Sequence, residues 1–313
     1  YHGIEIFPES ANVTLDSCVV DSNQVYGIQA SSSLLRRVHV DDSSVSGNGV
    51  GVRLSNLVVL EAENAVVSEN VGDGIQLETV LSDVLLTNCE IRNNGGWGVG
   101  GAPAGSKGRV ARDTGVSMEV TGGVIRENVN GGVAFEAEIF RFEQCLVVGN
   151  GGRALELSRP SGAPVGPLSV DLLSMTLADN GAEAIWTDHD SVVVDRVLIY
   201  RNAGAAYASP SLAQPALTCS NLFANATDYA GPIAGREGVA GNISADPVLC
   251  DPTGGDYTLM SVSPCLPAVS ACGLIGARDQ GCSAEPVFAS IDDVGNDQGG
   301  QLRLTWDASA FDA

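Results

Sequence analysis

An asparagine that recurs along most of the chain is the feature that most limits what this sequence can fold into. It returns at intervals of 25, 22, 24, 34, 22, 30 and 22 residues, and its regular members are Asn23, Asn48, Asn70, Asn94, Asn128, Asn150, Asn180 and Asn202. A less regular ninth member is Asn225. A basic period of about 22 residues lies in the range of repeat architectures. We therefore expect a chain built of coils that all turn at the same corner.

The apolar residues of each repeat fall at fixed distances from this asparagine. The position eight residues before it is occupied by Leu15, Val40, Ala62, Leu86, Val120, Phe142, Leu172, Val194 and Leu217. A second apolar position lies two residues earlier, and a spacing of two is the period of a β-strand, whereas a helix would fill i+3 and i+4. The same strand pattern recurs in every repeat, with too few residues between repeats for a strand that runs in the opposite direction. The sequence therefore predicts an all-β parallel β-helix of about nine coils, roughly 38 Å long.

The corner at the recurring asparagine has a physical explanation. Asparagine and glycine tolerate left-handed backbone conformations, so we expect them to form the sharp turn of each coil. Stacked asparagine side chains can also hydrogen-bond to one another along a rod. We therefore interpret the eight regular asparagines as structural residues.

The composition excludes two classes of partner. The 313 residues carry a formal net charge of −22. Nucleic acids and anionic membranes attract basic surfaces, so we expect neither as a partner. No apolar run has the length of a transmembrane helix, so we also expect no insertion into a membrane.

These columns resemble the right-handed parallel β-helix repeat of polysaccharide lyases, polygalacturonase-like hydrolases, alginate epimerases and many non-enzymatic bacterial surface proteins. The resemblance covers residues 1–229 and implies the pectate-lyase-like fold. It implies no single activity, because one fold hosts many chemistries. Gly3 and Ile4 match Gly27 and Ile28, so the chain starts inside a coil. We expect it to be a segment of a longer exported bacterial protein, monomeric within that chain.

The two long intervals contain inserted residues, 101–113 and 158–167. Loops on a rigid scaffold commonly carry binding residues, and the first insert holds the densest basic group of the chain. We therefore predict that Lys107, Arg109 and Arg112 contact a ligand. Trp186 and His189 are further candidates, because Trp186–Asp190 resembles in part the Asp/His clusters of alginate epimerases.

Outward positions on the strands before each asparagine form a second candidate surface. Asp16, Asp41 and Glu63 follow one another at one-coil spacing, and such a row of carboxylates suits Ca²⁺, the one cofactor that we consider. Arg141, Glu119 and Glu143 are the candidate catalytic residues if the protein acts on a polysaccharide. A solvated polar face explains the same residues and stays open as an alternative.

Eight cysteines fall into two groups. Cys18, Cys89 and Cys145 share a small inward position and should be free thiols. The other five are clustered, which favours disulfides and an oxidising compartment, and they are Cys219, Cys250, Cys265, Cys272 and Cys282. The connectivity cannot be read from the spacing, and we take Cys219–Cys250 plus one pair among the last three as the working expectation.

Two further segments follow the repeat. Residues 230–284 resemble the closing segment of secreted bacterial β-helix proteins, which implies that they cover the last coil. In residues 285–313, apolar residues occupy every second position at Leu302, Leu304 and Trp306, which is the pattern of a strand. The segment looks like the first two strands of a fibronectin type III-like sandwich, here incomplete.

Three functions remain open from the sequence. The first is a secreted or cell-surface module that binds a polysaccharide, a cell-surface glycan or another surface. The second is an enzyme of the polysaccharide lyase, glycoside hydrolase or epimerase type that acts on uronate polymers beside the inserted loops. The third is a passive structural spacer.

Overall fold

The computed structural model describes residues 1–6, 12–31, 37–55, 59–78, 83–101, 116–160, 168–211, 213–284, 287–294 and 301–307. Within them, three parallel sheets of nine strands each form a β-helix. Each strand pairs with the equivalent strands of the coils before and after it, so the predicted parallel β-helix is confirmed. Isolated bridges from Ala205 to Thr227 and from Asn221 to Ile243 add part of a tenth coil.

The chain visits the three sheets in turn, and we number the sheets in that order. Sheet 1 contains the strands Ile4–Ile6, Tyr26–Ser31, Val50–Ser55, Ile75–Glu78, Trp97–Gly101, Gly131–Glu136, Leu155–Ser158, Ile185–Thr187 and Tyr207–Ala208. Sheet 2 contains Asn12–Asp16, Arg37–Asp41, Val59–Glu63, Val84–Thr87, Ser117–Thr121, Ile139–Glu143, Ser169–Leu173, Val192–Asp195 and Ala216–Thr218. Sheet 3 contains Val19–Asp21, Ser44–Ser46, Val66–Ser68, Glu90–Arg92, Val124–Arg126, Leu146–Val148, Thr176–Ala178, Leu198–Tyr200 and Asn221–Phe223.

The apolar columns of the sequence form one continuous core inside the three sheets. Val40, Leu86 and Leu172 are fully buried, and Leu15 in the first coil is partly buried and packs against the same cluster. Each of them stands in register with its equivalents in the neighbouring strands. Burial of one such side chain stabilises the fold by about 1.5–3 kcal/mol, so the stack of coils supplies the main driving force.

The asparagines form the predicted ladder along the inside of one corner. The side-chain amide of Asn94 donates to Oδ1 of Asn128 at 2.9 Å, and the backbone N–H of Asn94 donates to the same oxygen at 3.1 Å. The same pair of hydrogen bonds joins each member to the next, from Asn23 to Asn225. The last amide donates to Oδ1 of Asp228 at 2.7 Å.

The left-handed residue of this corner is not the asparagine itself, so the expectation that asparagine supplies the turn conformation is wrong. The residue before it has the positive φ, for example 58° at Glu69 and 57° at Asp179. The asparagine is occupied by the ladder, and the preceding side chain can point outwards at the turn. Glycine supplies this conformation in two coils, at Gly47 with a φ of 64° and at Gly149 with a φ of 65°. Other glycines serve close packing: a Cβ atom on Gly27 would lie 2.8 Å from Nδ2 of Asn48.

The segment after the last coil has two parts. Residues 227–243 cover the end of the rod, with Ile233 of the short 3-10 helix Gly231–Ile233 in the main core. Residues 249–282, which we call the C-terminal arm, form a small sheet from Leu249–Asp251, Asp256–Met260 and Gln280–Cys282. Instead of staying at the end, the arm folds back along the outer face of sheet 3.

A second apolar cluster holds the arm against sheet 3. The sheet contributes Leu146, Val148, Ala178 and Leu198, and the arm contributes Leu249, Tyr257, Leu259, Leu266 and Ile275. Backbone contacts also fix the arm, since Gly276 N–H donates to the carbonyl of Arg196 at 2.9 Å. The arm therefore covers outward apolar residues of sheet 3, such as Leu146 and Leu198, that solvent would otherwise reach.

Two disulfides fasten the arm. They join Cys219 to Cys272 and Cys250 to Cys282, so both parts of the expectation are wrong: neither a Cys219–Cys250 bond nor a pair among the last three cysteines forms. Because the arm runs back past the last coil, Cys272 returns to Cys219, while Cys250 and Cys282 flank the central strand of the small sheet. Cys265 is buried and free. The predicted free thiols Cys18, Cys89 and Cys145 are confirmed.

The last described segment is an antiparallel hairpin of Val287–Asp293 and Leu302–Asp307. Its exposed apolar residues are Phe288, Ile291, Leu302, Leu304 and Trp306. A complete fibronectin type III-like sandwich stays a prediction. No helix in the described ranges has the length and apolar character needed to cross a bilayer.

Candidate functional site

The predicted catalytic residues lie on the outer face of sheet 2. Glu119 stands in register with Arg141, and Arg141 stands in register with Asp171 of the next strand. Glu143 lies two residues further along the strand of Arg141, beside Leu173. Glu119 and Arg141 are both exposed. The structure therefore brings the three predicted residues together on an open, solvated face.

The predicted calcium row is brought together only in part. Ligand oxygens of Asp16 and Asp41 lie within 4.8 Å of each other, and the third carboxylate within that distance is Asp42 rather than Glu63. Asp42 has a φ of 43°, so it forms the turn directly after the strand of Asp41. Glu63 is the exposed register neighbour of Asp41 in the next coil and lies outside the cluster. Calcium binding stays a prediction.

The predicted ligand-binding residues do not form one surface. Lys107, Arg109 and Arg112 lie outside the described residues. Trp186 is half-buried on the outer face of sheet 1. His189 is only 1% exposed and packs edge-on against Phe140, with ring centroids 5.5 Å apart. His189 lies in the corner after the strand Ile185–Thr187, and its ring is buried inside the rod. The expectation that His189 contacts a glycan is therefore wrong.

Burial also sets the charge of this histidine. Desolvation lowers the pKa of His189, and its own backbone N–H donates to Oγ1 of Thr187 at 3.2 Å. The imidazole is therefore neutral at physiological pH and acts as a core residue.

Trp97 is the most distinctive side chain on the outer face of sheet 1. It is half-buried and lies in register with Gly131 of the next strand. A Cβ atom on Gly131 would lie 2.7 Å from Cε3 of Trp97 and closer still to Cζ3. The indole therefore rests on the backbone of the next coil, and only glycine leaves room for it there.

Asp73 lies beside Trp97 in the preceding coil. Its Oδ1 accepts the backbone N–H of Trp97 at 2.7 Å. Burial raises the pKa of Asp73, and the hydrogen bond from Trp97 opposes this shift only in part. A Cβ atom on Gly100 would lie 2.5 Å from Oδ2 of Asp73, so the glycine leaves room for the carboxyl group in its present position. The carboxyl group of Asp73 is thus fixed on the backbone of the strand that carries Trp97.

Trp186 lies on the same face, three strands further along the rod. The guanidinium carbon of Arg153 lies 5.2 Å from the centroid of its ring. Arg153 in turn forms ion pairs with Glu156 and Glu183, each at 2.9 Å. These pairs raise the pKa of Arg153 against the opposing effect of burial, and they lower the pKa of Glu183. The indole is thus held by a fixed, neutralised charge cluster.

Tyr26 is a third aromatic residue of this face, three strands before Trp97. His2 stacks on its ring with centroids 5.1 Å apart, and the guanidinium carbon of Arg53 lies 4.8 Å from the ring centroid. Arg53 also pairs with Glu78. Because these side chains occupy Tyr26, its ring is less suited to receive a ligand than the two indoles.

We call the strip of sheet 1 between the two indoles the tryptophan lane, and it consists of Trp97, Gly131, Ala134, Arg153, Glu156 and Trp186. Sequence reasoning missed Trp97 and Asp73. Both stand three residues after a ladder asparagine, a position also occupied by Arg153 and Glu183. Large polar and aromatic residues recur at that position, next to glycines, and this pattern could have indicated the outer face of sheet 1 as a candidate site.

Comparison with known proteins supports the fold and no particular activity. Residues 1–135 match the family model described as right handed beta helix region. The same three-sheet stack continues without a change of register to Phe223, well beyond the matched residues. No curated protein and no solved structure gives a significant match to the chain.

Proposed function

We propose that the protein is an extracellular β-helix module, displayed at a cell surface, that binds carbohydrate with the outer face of sheet 1. The observation that carries this proposal is the tryptophan lane, in which one face of each half-buried indole packs against the protein. The indole of Trp97 packs on Gly131, and the guanidinium group of Arg153 packs on the indole of Trp186. A sugar ring combines an apolar C–H face with a rim of hydroxyl groups, so it packs on an aromatic ring and hydrogen-bonds to side chains beside it.

The disulfides support the proposed location. Two of them, Cys219–Cys272 and Cys250–Cys282, hold the C-terminal arm. Disulfides form and persist in oxidising environments such as the outside of the cell. A carbohydrate-binding surface would meet its ligand there.

The charges of the lane favour binding over catalysis. Glu183 has a lowered pKa because it pairs with Arg153, so it stays ionised and is a poor proton donor. Glu156 is held by the same guanidinium group. Both carboxylates are therefore positioned to accept hydrogen bonds from sugar hydroxyls rather than to transfer protons.

One observation favours an enzyme as the second candidate. Burial raises the pKa of Asp73 beside Trp97, and a carboxyl group with a raised pKa is what a general acid of a glycosidase needs. Under this alternative, Asp73 would act in a polysaccharide hydrolase, lyase or epimerase. The sequence-predicted trio of Glu119, Arg141 and Glu143 is a separate prediction for the same class of activity.

A glycan array followed by isothermal titration calorimetry tests the proposed function. We expect the wild-type protein to bind at least one glycan, and Trp97→Ala to weaken that binding by about tenfold, the equivalent of about 1.4 kcal/mol. Trp306→Ala is the matched control. Trp306 is 62% exposed on the C-terminal hairpin, outside the tryptophan lane, so its substitution should leave the affinity unchanged. Absence of binding to every glycan would overturn the proposal and favour a passive spacer.

The same protein separates binding from turnover. Incubation with each bound polysaccharide, with and without calcium, should leave the chain length of the polymer unchanged. Release of products that stops in Asp73→Asn would support the enzyme alternative at the lane. Release that stops only in Arg141→Ala would place the chemistry on sheet 2 instead.

A further inference from the structure

The two indoles of the tryptophan lane are separated along the axis of the rod. Three strand spacings lie between Trp97 and Trp186, through the strands Gly131–Glu136 and Leu155–Ser158. At about 4.8 Å per spacing, the two rings are separated by about 14 Å along the axis. One sugar ring cannot contact both of them, whereas an extended chain of several sugars can.

The residues between the indoles leave the floor of the lane low. The indole of Trp97 covers Gly131, and Ala134, three residues further along the same strand, carries only a methyl group. Glu156 follows in the next strand, where it is in register with Ala134 and with Trp186. In the strand of Trp97, the residue in register with Ala134 is Gly100, so Trp97 and Trp186 also lie three residues, about 10 Å, apart along the strand direction. A ligand that contacts both indoles therefore has to run along the rod and cross the strands obliquely.

The charges along this face decide which chain fits. The guanidinium groups of Arg53 and Arg153 are both neutralised, the first by Glu78 and the second by Glu156 and Glu183. Asp73 adds a further carboxyl group beside Trp97.

Recognition of a polyanion requires cations that are free to pair with it. Within the described residues, this face carries two arginines, Arg53 and Arg153, against at least six carboxyl groups, because Glu5 and Glu136 add to the four already named, in a chain of formal net charge −22. A polyuronate would therefore be repelled, whereas uncharged hydroxyl groups would find carboxylate acceptors.

We propose that the ligand of the tryptophan lane is an extended, uncharged polysaccharide that lies along the rod and contacts Trp97 and Trp186 with different sugar residues. This inference rests on the proposed carbohydrate-binding function and adds the length and charge of the ligand. It differs from the uronate substrates that the sequence resemblance implies for an enzyme.

A length series of neutral oligosaccharides tests the two-point contact. The probes are β-1,4-linked gluco- and manno-oligosaccharides from two to eight sugars, with the corresponding polymers, titrated by calorimetry into the whole protein. Affinity should rise by about tenfold or more once the oligosaccharide reaches from one indole to the other. Trp97→Ala and Trp186→Ala should each remove this gain, so that long and short oligosaccharides bind equally.

Acidic polymers test the charge class. Polygalacturonate and alginate should bind at least tenfold more weakly than the best neutral polymer at low ionic strength. Trp97→Phe and Trp186→Phe keep an aromatic ring and should retain most of the affinity, which separates loss of contact from loss of folding. Trp306→Ala again serves as the unchanged control.

The outcomes distinguish this inference from the proposed function. Tight binding of polygalacturonate that depends on Trp97 and weakens with salt would overturn the charge class and leave carbohydrate binding intact. Equal affinity for two and eight neutral sugars would overturn the extended mode. Failure to bind any glycan would overturn the proposed function itself.

Discussion

The phenol of Tyr257 donates a hydrogen bond to Oδ2 of Asp179 at 2.9 Å, across 78 positions of sequence. Tyr257 belongs to the C-terminal arm and Asp179 to a corner of the rod, and Arg201 also holds the carboxylate through Nε at 2.8 Å. Burial is the main cause that raises the pKa of Tyr257, with the charge of Asp179 second. The phenol therefore stays protonated, and its hydrogen bond fastens the arm to the rod. We call this hydrogen bond the latch.

Tyr257→Phe removes this latch without changing the packing of the ring. A hydrogen bond to a charged group contributes about 1.5–3 kcal/mol, and Asp179 keeps Arg201, so we expect a loss near the lower end of that range. The free energy of unfolding, measured in urea, checks the prediction. Tyr1→Phe is the control, since Tyr1 is 90% exposed. Equal stabilities of both variants would show that the latch contributes nothing.

Removal of the Cys219–Cys272 disulfide should free the arm. The bond closes a sequence separation of 53 residues, for which the loop-entropy argument gives about 4 kcal/mol. Cys272→Ser should therefore lower the free energy of unfolding and make the arm more sensitive to proteolysis than the rod. Cys18→Ser, at a free and half-buried thiol, is the control. An arm that resists protease in Cys272→Ser would show that the apolar contacts with sheet 3 are sufficient.

The asparagine ladder gives a third prediction. Asn128→Ala in the middle of the ladder removes the acceptor of the Asn94 amide and the donor to Asn150. Because these groups are buried, each one left without a partner costs about 1–3 kcal/mol, and we expect a total loss of several kcal/mol. Thermal unfolding monitored by circular dichroism checks this, with the exposed Asn130→Ala as control. A loss no greater than that of Asn130→Ala would contradict the structural role of the ladder.

Repetition explains how much of the structure could be predicted from the sequence. The inward column that contains Leu86 and the ladder asparagine Asn94 recur in every coil, so their roles follow from the period alone. The positive φ of Glu69 was missed, because a glutamate at a turn carries no composition signal for a left-handed conformation.

Features that occur once could not be read from the period. The path of the arm depends on the packing of residues that are distant in sequence, such as Leu198 and Tyr257, into one apolar cluster, and this packing also decides which cysteines meet. For the same reason, Trp97 was passed over: its importance depends on Gly131 in the next coil. His189 stands beside charged residues in the sequence, and only the three-dimensional corner shows that its ring is buried.

His189 makes stability depend on pH. Its pKa is lowered in the folded protein because burial penalises the charged imidazole, whereas the unfolded chain has the ordinary value of about 6.5. Between these two values the unfolded state binds more protons than the folded state, so stability rises with pH. The full contribution is present above about pH 6.5 and is lost as the pH falls through that value towards the lower pKa of the folded state.

The wild-type protein should therefore lose up to about 1.4 kcal/mol per pH unit as the pH falls from about 6.5, measured as the free energy of unfolding in urea. His189→Leu should remove this slope, because leucine fills the apolar side of the pocket against Phe140 without titrating. His2→Leu is the control, since His2 is exposed, and it should keep the slope. Carboxylates such as Glu183, whose pKa is lowered, add their own losses at more acidic pH in all three proteins. An unchanged slope in His189→Leu would show that the imidazole takes up its proton as readily in the folded rod as in the unfolded chain.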